Sequence, residues 1–195
     1  MRLWLVSVVL AAAQFLYDNA TMQTVQLAPG FSLRWDWEHD NIAFSLNLGA
    51  PVYGNFDWVG IGLMEGAVTG MHGADIYSVV YSNGNYYLAD RKAVGNARPP
   101  TDESQGGWNN LQLLDFMDDN MNATITFRRP LKTEDSEDMD IEPNAQYSVL
   151  YAWGQGELNY HGAEQRGFIS VNFTMAPAML AWAALLEVAL LTVLV

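Results

Sequence analysis

Three histidines, His39, His72 and His161, are the only imidazoles in this 195-residue chain, and it contains no cysteine. Thiolate metal sites, cysteine nucleophiles and a disulfide framework are thereby excluded. A three-histidine metal centre would need all three, yet His39 falls in the polar turn His39-Asp40-Asn41 between two alternating runs. The pairing that suggests chemistry is Met71, in Gly70-Met71-His72-Gly73-Ala74-Asp75-Ile76, with His161, in Asn159-Tyr160-His161-Gly162. A thioether and an imidazole on opposite faces of a planar macrocycle make a six-coordinate haem iron with no open position, which suits electron transfer rather than oxygen activation. The plain alternatives are a core gap-filler, since Met71 is one of nine methionines, and a hydrogen-bonded surface histidine. No G-x-S-x-G, phosphate loop or G-x-G-x-x-G before a helix occurs, and no pair among the 22 acids is singled out for glycoside chemistry. The densest acidic stretch, Glu134 to Glu142, holds Glu134, Asp135, Glu137, Asp138, Asp140 and Glu142. A calcium loop is one reading, but the spacing fits no EF-hand and the central glycine is absent, so a solvated acidic turn is the expectation.

The elements that must position these residues read as strands. Phe31, Leu33, Trp35 and Trp37 alternate with Ser32, Arg34, Asp36 and Glu38, and Ile42, Phe44, Leu46 and Leu48 repeat the period-two pattern. Further strand candidates are 58–64, 74–81, 86–89, 111–116, 123–128, 147–153 and 168–173. Helical periodicity is absent between them, and residues 91–109, rich in Pro, Gly and Asn, read as a long connecting loop. About nine short strands with Gly, Asn and Asp turns predict an all-β fold, an antiparallel β-sandwich of immunoglobulin-like build.

The ends differ in character from this middle. Arg2, the apolar run Leu3 to Leu10 and Ala11-Ala12-Ala13 predict a signal peptide over 1–13. Residues 175–195 are long enough to span a bilayer, interrupted only by Pro177, Glu187 and Thr192, and predict a transmembrane segment or a lipid-anchor signal. One domain over 21–174 is expected between them, on the extracellular side of a membrane and held there by the C-terminal segment. Sequons at Asn19, Asn122 and Asn172 accord with the secretory pathway. The formal net charge of −13, with no basic cluster, excludes nucleic acid as a partner and favours a basic one.

Several motifs in order resemble the DOMON domain, the β-sandwich named from the N-terminal region of dopamine β-monooxygenase. They are Trp58-Val59-Gly60-Ile61-Gly62, Met71 to Ile76, Tyr87-Leu88-Ala89-Asp90, Asp102-Glu103-Ser104-Gln105, Phe127 to Asp135, Tyr151-Ala152-Trp153-Gly154, and Tyr160-His161-Gly162 followed by Arg166-Gly167. They cover about residues 31–173. The resemblance implies a sandwich that holds haem b or a sugar-like ligand between loops at one end. It places the two axial iron ligands of the haem-binding members on Met71 and His161, with Trp58, Tyr77, Tyr151 and Trp153 as candidate pocket lining. His72 departs from the family pattern and offers a competing donor, or a copper ligand together with Met71. The resemblance further implies a one-electron carrier with a redox partner, or a haem-free module for a small carbohydrate-like ligand or another protein. The copper domains of the related monooxygenases find no counterpart here, so catalysis is not expected.

Overall fold

The computed structural model describes residues 23–175. The signal peptide expected at 1–13, Asn19 and all but the first residue of 175–195 lie outside the described residues. Among the described residues no helix is long and apolar enough to cross a membrane.

Ten strands form two five-stranded antiparallel sheets. They are β1 (Gln23–Ala28), β2 (Phe31–Glu38), β3 (Asn41–Leu48), β4 (Trp58–Met64), β5 (Asp75–Ser82), β6 (Asn85–Lys92), β7 (Gln112–Asp118), β8 (Ala123–Pro130), β9 (Gln146–Gly154) and β10 (Arg166–Asn172). The first sheet runs β1-β2-β3-β8-β7 and the second β10-β9-β4-β5-β6. The expected β-sandwich is therefore present. Its alternation is the predicted one in β2, where Phe31, Leu33, Trp35 and Trp37 are buried and their neighbours half-buried. β8 places Ala123, Ile125, Phe127 and then Arg129 on one inward row, so a charged residue follows three apolar ones into the core.

The core between the sheets is aromatic at its centre. Phe44 packs against Tyr77, Phe127 and Phe173 with ring centroids 6.0, 5.8 and 5.7 Å away. Each such pair adds about 0.5–1.5 kcal/mol beyond the area it buries. β4 is the central strand of the second sheet and buries six of its seven residues, which masks any alternation. Gly60 is needed there, because a Cβ would lie 3.0 Å from the Tyr77 carbonyl oxygen.

Two elements escaped the sequence reading. β1 pairs with β2 through a bulge between Gln26 and Ala28, which breaks its alternation. A one-turn helix, α1 (Asp102–Gln105), interrupts the loop expected over 91–109; Thr101 caps it and Gly106 ends it at φ 97°. Four residues are too few to carry a helical period.

Register fixes which residues share an end of the sandwich. Leu63 faces Asp75, Asp75 faces Lys92, Ile42 faces Arg129 and Asn172 faces Gln146 at one end. Trp58 faces both Val80 and Gly154 at the other, which Leu48 and Ala123 share in the first sheet. The described chain enters and leaves at the first end: Thr174 donates its hydroxyl to Gln23 (2.7 Å), and its carbonyl accepts the Trp37 and Trp35 indole N–H groups at 2.9 and 3.4 Å.

Candidate functional site

The first end of the sandwich holds a buried knot of charge. Asp75 opens β5, Asp90 lies near the end of β6, Arg129 ends the inward row of β8, and Asp138 comes in from the loop after β8. Arg129 and Asp75 have fully buried side chains joined at 2.7 Å, and Asp138 lies 3.8 Å from the other guanidinium nitrogen. The same Asp75 oxygen accepts from the Tyr77 hydroxyl (3.0 Å) and the Met139 backbone N–H (3.0 Å), and Arg129 also contacts the Tyr77 hydroxyl. One ligand oxygen from each of Asp75, Asp90 and Asp138 lies within 4.8 Å of the others.

Hydrogen bonding accounts for only part of this cluster. Asp138 takes the Asn110 side-chain amide at 2.8 Å, and Asp90 a long contact from the Asn110 backbone N–H at 3.3 Å. Left without hydrogen-bond partners are one oxygen each of Asp75, Asp90 and Asp138, one guanidinium nitrogen of Arg129, and both oxygens of Asp102 in the first turn of α1. Buried carboxylate oxygens are ordinarily satisfied, so these orphans call for a proton, a water or a cation beside them.

Electrostatics point the same way. Three carboxylates against one guanidinium leave the cluster two negative charges in excess. Burial, then the charges of Asp75 and Asp138, pushes the Asp90 carboxyl up to about 9. Burial, followed by Asp138 and Asp75, pushes Asp102 up to about 7. Burial raises Asp75 as well, against the pull of Arg129 and Met139, while the guanidinium is lowered by burial and more than restored by Tyr77 and Asp75. With three donors on one oxygen, Asp75 is the ionised partner of Arg129, and a proton on Asp90 offsets one of the two excess negative charges. A hard divalent cation would replace that proton and cancel the excess.

The acidic run expected to be a solvated turn is thus partly an inward-facing one. Asp138 is buried in the cluster, and Asp135, 9% exposed, accepts from the Trp108 and Glu137 backbone N–H groups at 2.6 and 3.0 Å. Gly107 makes room for it, since a Cβ there would stand 2.5 Å from the carboxylate. Glu134, Glu137, Asp140 and Glu142 remain partly or fully exposed.

The other end carries an open cleft of about 520 Å³ whose lining includes Pro51, Asn55, Trp153, Tyr160, His161 and Glu164. The half-buried His161 ring lies 6.1 Å from Trp58 and 4.9 Å from the exposed Tyr160, and its Nδ1 is 2.7 Å from the Gly162 carbonyl. Trp58 lies across Gly154, where a Cβ would meet the indole nitrogen at 2.8 Å.

The structure distributes the residues singled out in the sequence unevenly. Trp58 and Trp153 do sit beside His161. Tyr151 stacks beneath Trp153 and packs edge-on against Phe31, and Tyr77 belongs to the core and the acidic end. Met71 is half-buried in the turn before β5, its carbonyl accepting from Ala74, beside exposed His72. That turn lies at the Leu63 end of β4, whereas His161 lies at the Trp58 end. Five residues of strand separate the two ends, about 16–17 Å. Met71 and His161 thus sit toward opposite ends of β4, and the ring contact with Trp58 holds His161 at its own end. Asn122 and Asn172 are both exposed.

The ten-strand antiparallel sandwich, with a charged knot at one end and an aromatic cleft at the other, is an all-β module, and known proteins share its build. The cytochrome domain of Myriococcum thermophilum cellobiose dehydrogenase superposes with a TM-score of 0.52 at 13% identity, covering 84% of this chain and 88% of that one. The cytochrome b domain of pyranose dehydrogenase from Coprinopsis cinerea gives 0.50 at 13% identity, covering 72% and 76%. The DOMON domain family model matches residues 28–154, and the chain belongs to that family. Relatives include DBH-like monooxygenase protein 2 of Mus musculus, 29% identical over 127 residues. The putative human protein of that name is 31% identical over 122. These matches take in 65% and 63% of this chain but 19% and 23% of the relatives, so the chain spans about a fifth of their length.

Proposed function

We propose that the chain is an extracytoplasmic DOMON binding module whose acidic end is completed by a hard divalent cation, Ca²⁺ by preference. The observation that carries this reading is the convergence of Asp75, Asp90 and Asp138, each buried and each with an unpartnered oxygen. An all-oxygen donor set without His or Cys favours Ca²⁺ over transition metals, and Ca–O bonds of about 2.3–2.6 Å span the spacing. The cation would tie β5, β6 and the loop after β8 together, stiffening the scaffold that presents the cleft. The C-terminal segment would hold the module at a membrane. Terbium luminescence tests the site directly, because Tyr77 donates its hydroxyl to Asp75 and is placed to sensitise a bound lanthanide. Sensitised emission that Ca²⁺ displaces supports the reading; emission unchanged in Asp75→Asn, or absent, refutes it.

A second reading, haem b as the cofactor of a one-electron carrier, is favoured by the likeness to cytochrome domains. In this reading we take His161, in the cleft, as the residue that would hold the iron, and leave out Met71, which sits toward the other end of β4. Haem held that way would have an open position and no sharp low-spin α-band. The third reading, a small carbohydrate-like ligand, draws on the aromatic and amide lining of the same cleft.

A further inference from the structure

Only 9 Lys and Arg occur in the chain, and two of them line one cleft with no carboxylate within ion-pair distance. The cleft lies on the outer face of the second sheet, distinct from both sites above, and measures about 290 Å³. The register Val80↔Tyr87 and Ser78↔Ala89 puts Val80 and Ala89 on its floor with Tyr87 beside them. Tyr87 is 52% exposed. Arg91 is buried and held in one orientation, its Nε donating to Ser78 (2.8 Å) and one Nη to the Pro99 carbonyl (2.9 Å). Arg98 comes in from the loop after β6; Arg91 feels its charge and, in the opposite sense, that of Asp102. Neither arginine forms an ion pair among the described residues. The one acid on the rim, Glu157, accepts a hydrogen bond from Ser82 instead.

Two guanidiniums facing a shared apolar floor are costly unless an anion joins them. With Nε and one Nη engaged, the fixed Arg91 guanidinium still has Nη hydrogens for a carboxylate oxygen, and Arg98 closes over the other oxygen. Val80, Ala89 and Tyr87 would take a flat, apolar body behind that carboxylate. The field of a chain with net charge −13 opposes anion entry, so contact rather than steering must supply the affinity. We propose that this cleft is a binding site for a small planar organic carboxylate, held by Arg91 and Arg98 with its ring on Tyr87.

The test uses the full ¹⁵N-labelled chain, titrated with benzoate, with neutral benzamide and with inorganic sulfate, following amide shifts. The expected result is saturable shifts at Tyr87, Ala89, Arg91 and Arg98 with benzoate and none with benzamide. Arg98→Gln should weaken benzoate about tenfold or more, as loss of a charge-assisted hydrogen bond implies. Tyr87→Leu should weaken benzoate and leave sulfate unchanged. No saturable shift at 10 mM benzoate, equal binding of benzamide, binding of sulfate alone, or an Arg98→Gln variant that binds as before would each overturn the proposal. Arg91→Gln is avoided because its Ser78 and Pro99 bonds support the fold.

Discussion

Asp90→Asn should raise the stability of the calcium-free protein and abolish its response to calcium. In the absence of a cation the folded state keeps Asp90 protonated, its carboxyl pushed up to about 9 from the ordinary 3.8. At pH 7 that protonation costs about 4 kcal/mol, at 1.36 kcal/mol for each unit between 3.8 and 7. An asparagine is neutral at no such cost and keeps an oxygen to accept from Asn110. A gain of about 2–4 kcal/mol should follow, or about 4–16 °C in melting temperature at about 2–4 °C per kcal/mol. Wild-type protein at a calcium concentration 100 times its Kd should gain about 2.7 kcal/mol by mass action, which the variant should lose. Differential scanning calorimetry of both proteins in EDTA and in Ca²⁺ gives all four numbers. A variant less stable than wild type in EDTA, or one that retains the calcium increment, refutes the assignment of Asp90 as the ligand that carries the displaceable proton.

Other consequences are as direct. Calcium-free stability should fall as pH rises from about 4, because the raised values of Asp90 and Asp102 mean that the folded state keeps protons the unfolded chain has released. The fall should ease above about 7 and end near 9, and saturating Ca²⁺ should flatten it; urea midpoints across pH measure this. Arg129→Met removes the cluster's buried cation and should cost about 3–5 kcal/mol in EDTA by urea unfolding. If the full chain is expressed with haem supplied, any haem spectrum should survive Met71→Leu and disappear in His161→Ala. Gly154→Ala pushes the Trp58 indole off the strand and should cost about 1–3 kcal/mol, with a shifted tryptophan emission.

The sandwich was legible in the sequence because β2 and β3 each bury one face, which fixes a period of two. β4 was found from its apolar content alone. β1 was not, since its bulge and its polar residues hide the pattern. The acidic site was present in the sequence as separate fragments. Asp75, Asp90, Asp102, Arg129 and Asp135 all fall within motifs that mark the family resemblance, yet each looked like part of a strand or turn. Separations of 15 to 63 residues among Asp75, Asp90 and Asp138 leave no local spacing to recognise; only the pairing of β5 with β6 and the fold-back after β8 bring them together. A buried Arg at the end of the apolar row Ala123, Ile125, Phe127 was the available signal, since such a residue demands acidic partners. The placement of Met71 and His161 was hidden for the converse reason. Both motifs exist, but strand direction sends them to opposite ends, and direction is not written in a motif.

Thr174 donates to Gln23 and accepts from the Trp35 and Trp37 indoles, which gathers both described ends of the chain at one end of the sandwich. Residues 23 and 175 share the end that holds the acidic knot, and the His161 cleft lies about 20–25 Å away at the far end. If residue 175 hangs from a surface, that cleft is the leading tip and the knot is the hinge pin nearest the mooring. Tension at residue 175 would load β10 first at Asn172 and Gln146, one hydrogen-bonded rung at a time, with the two indoles acting as the catch that must slip before unzipping begins.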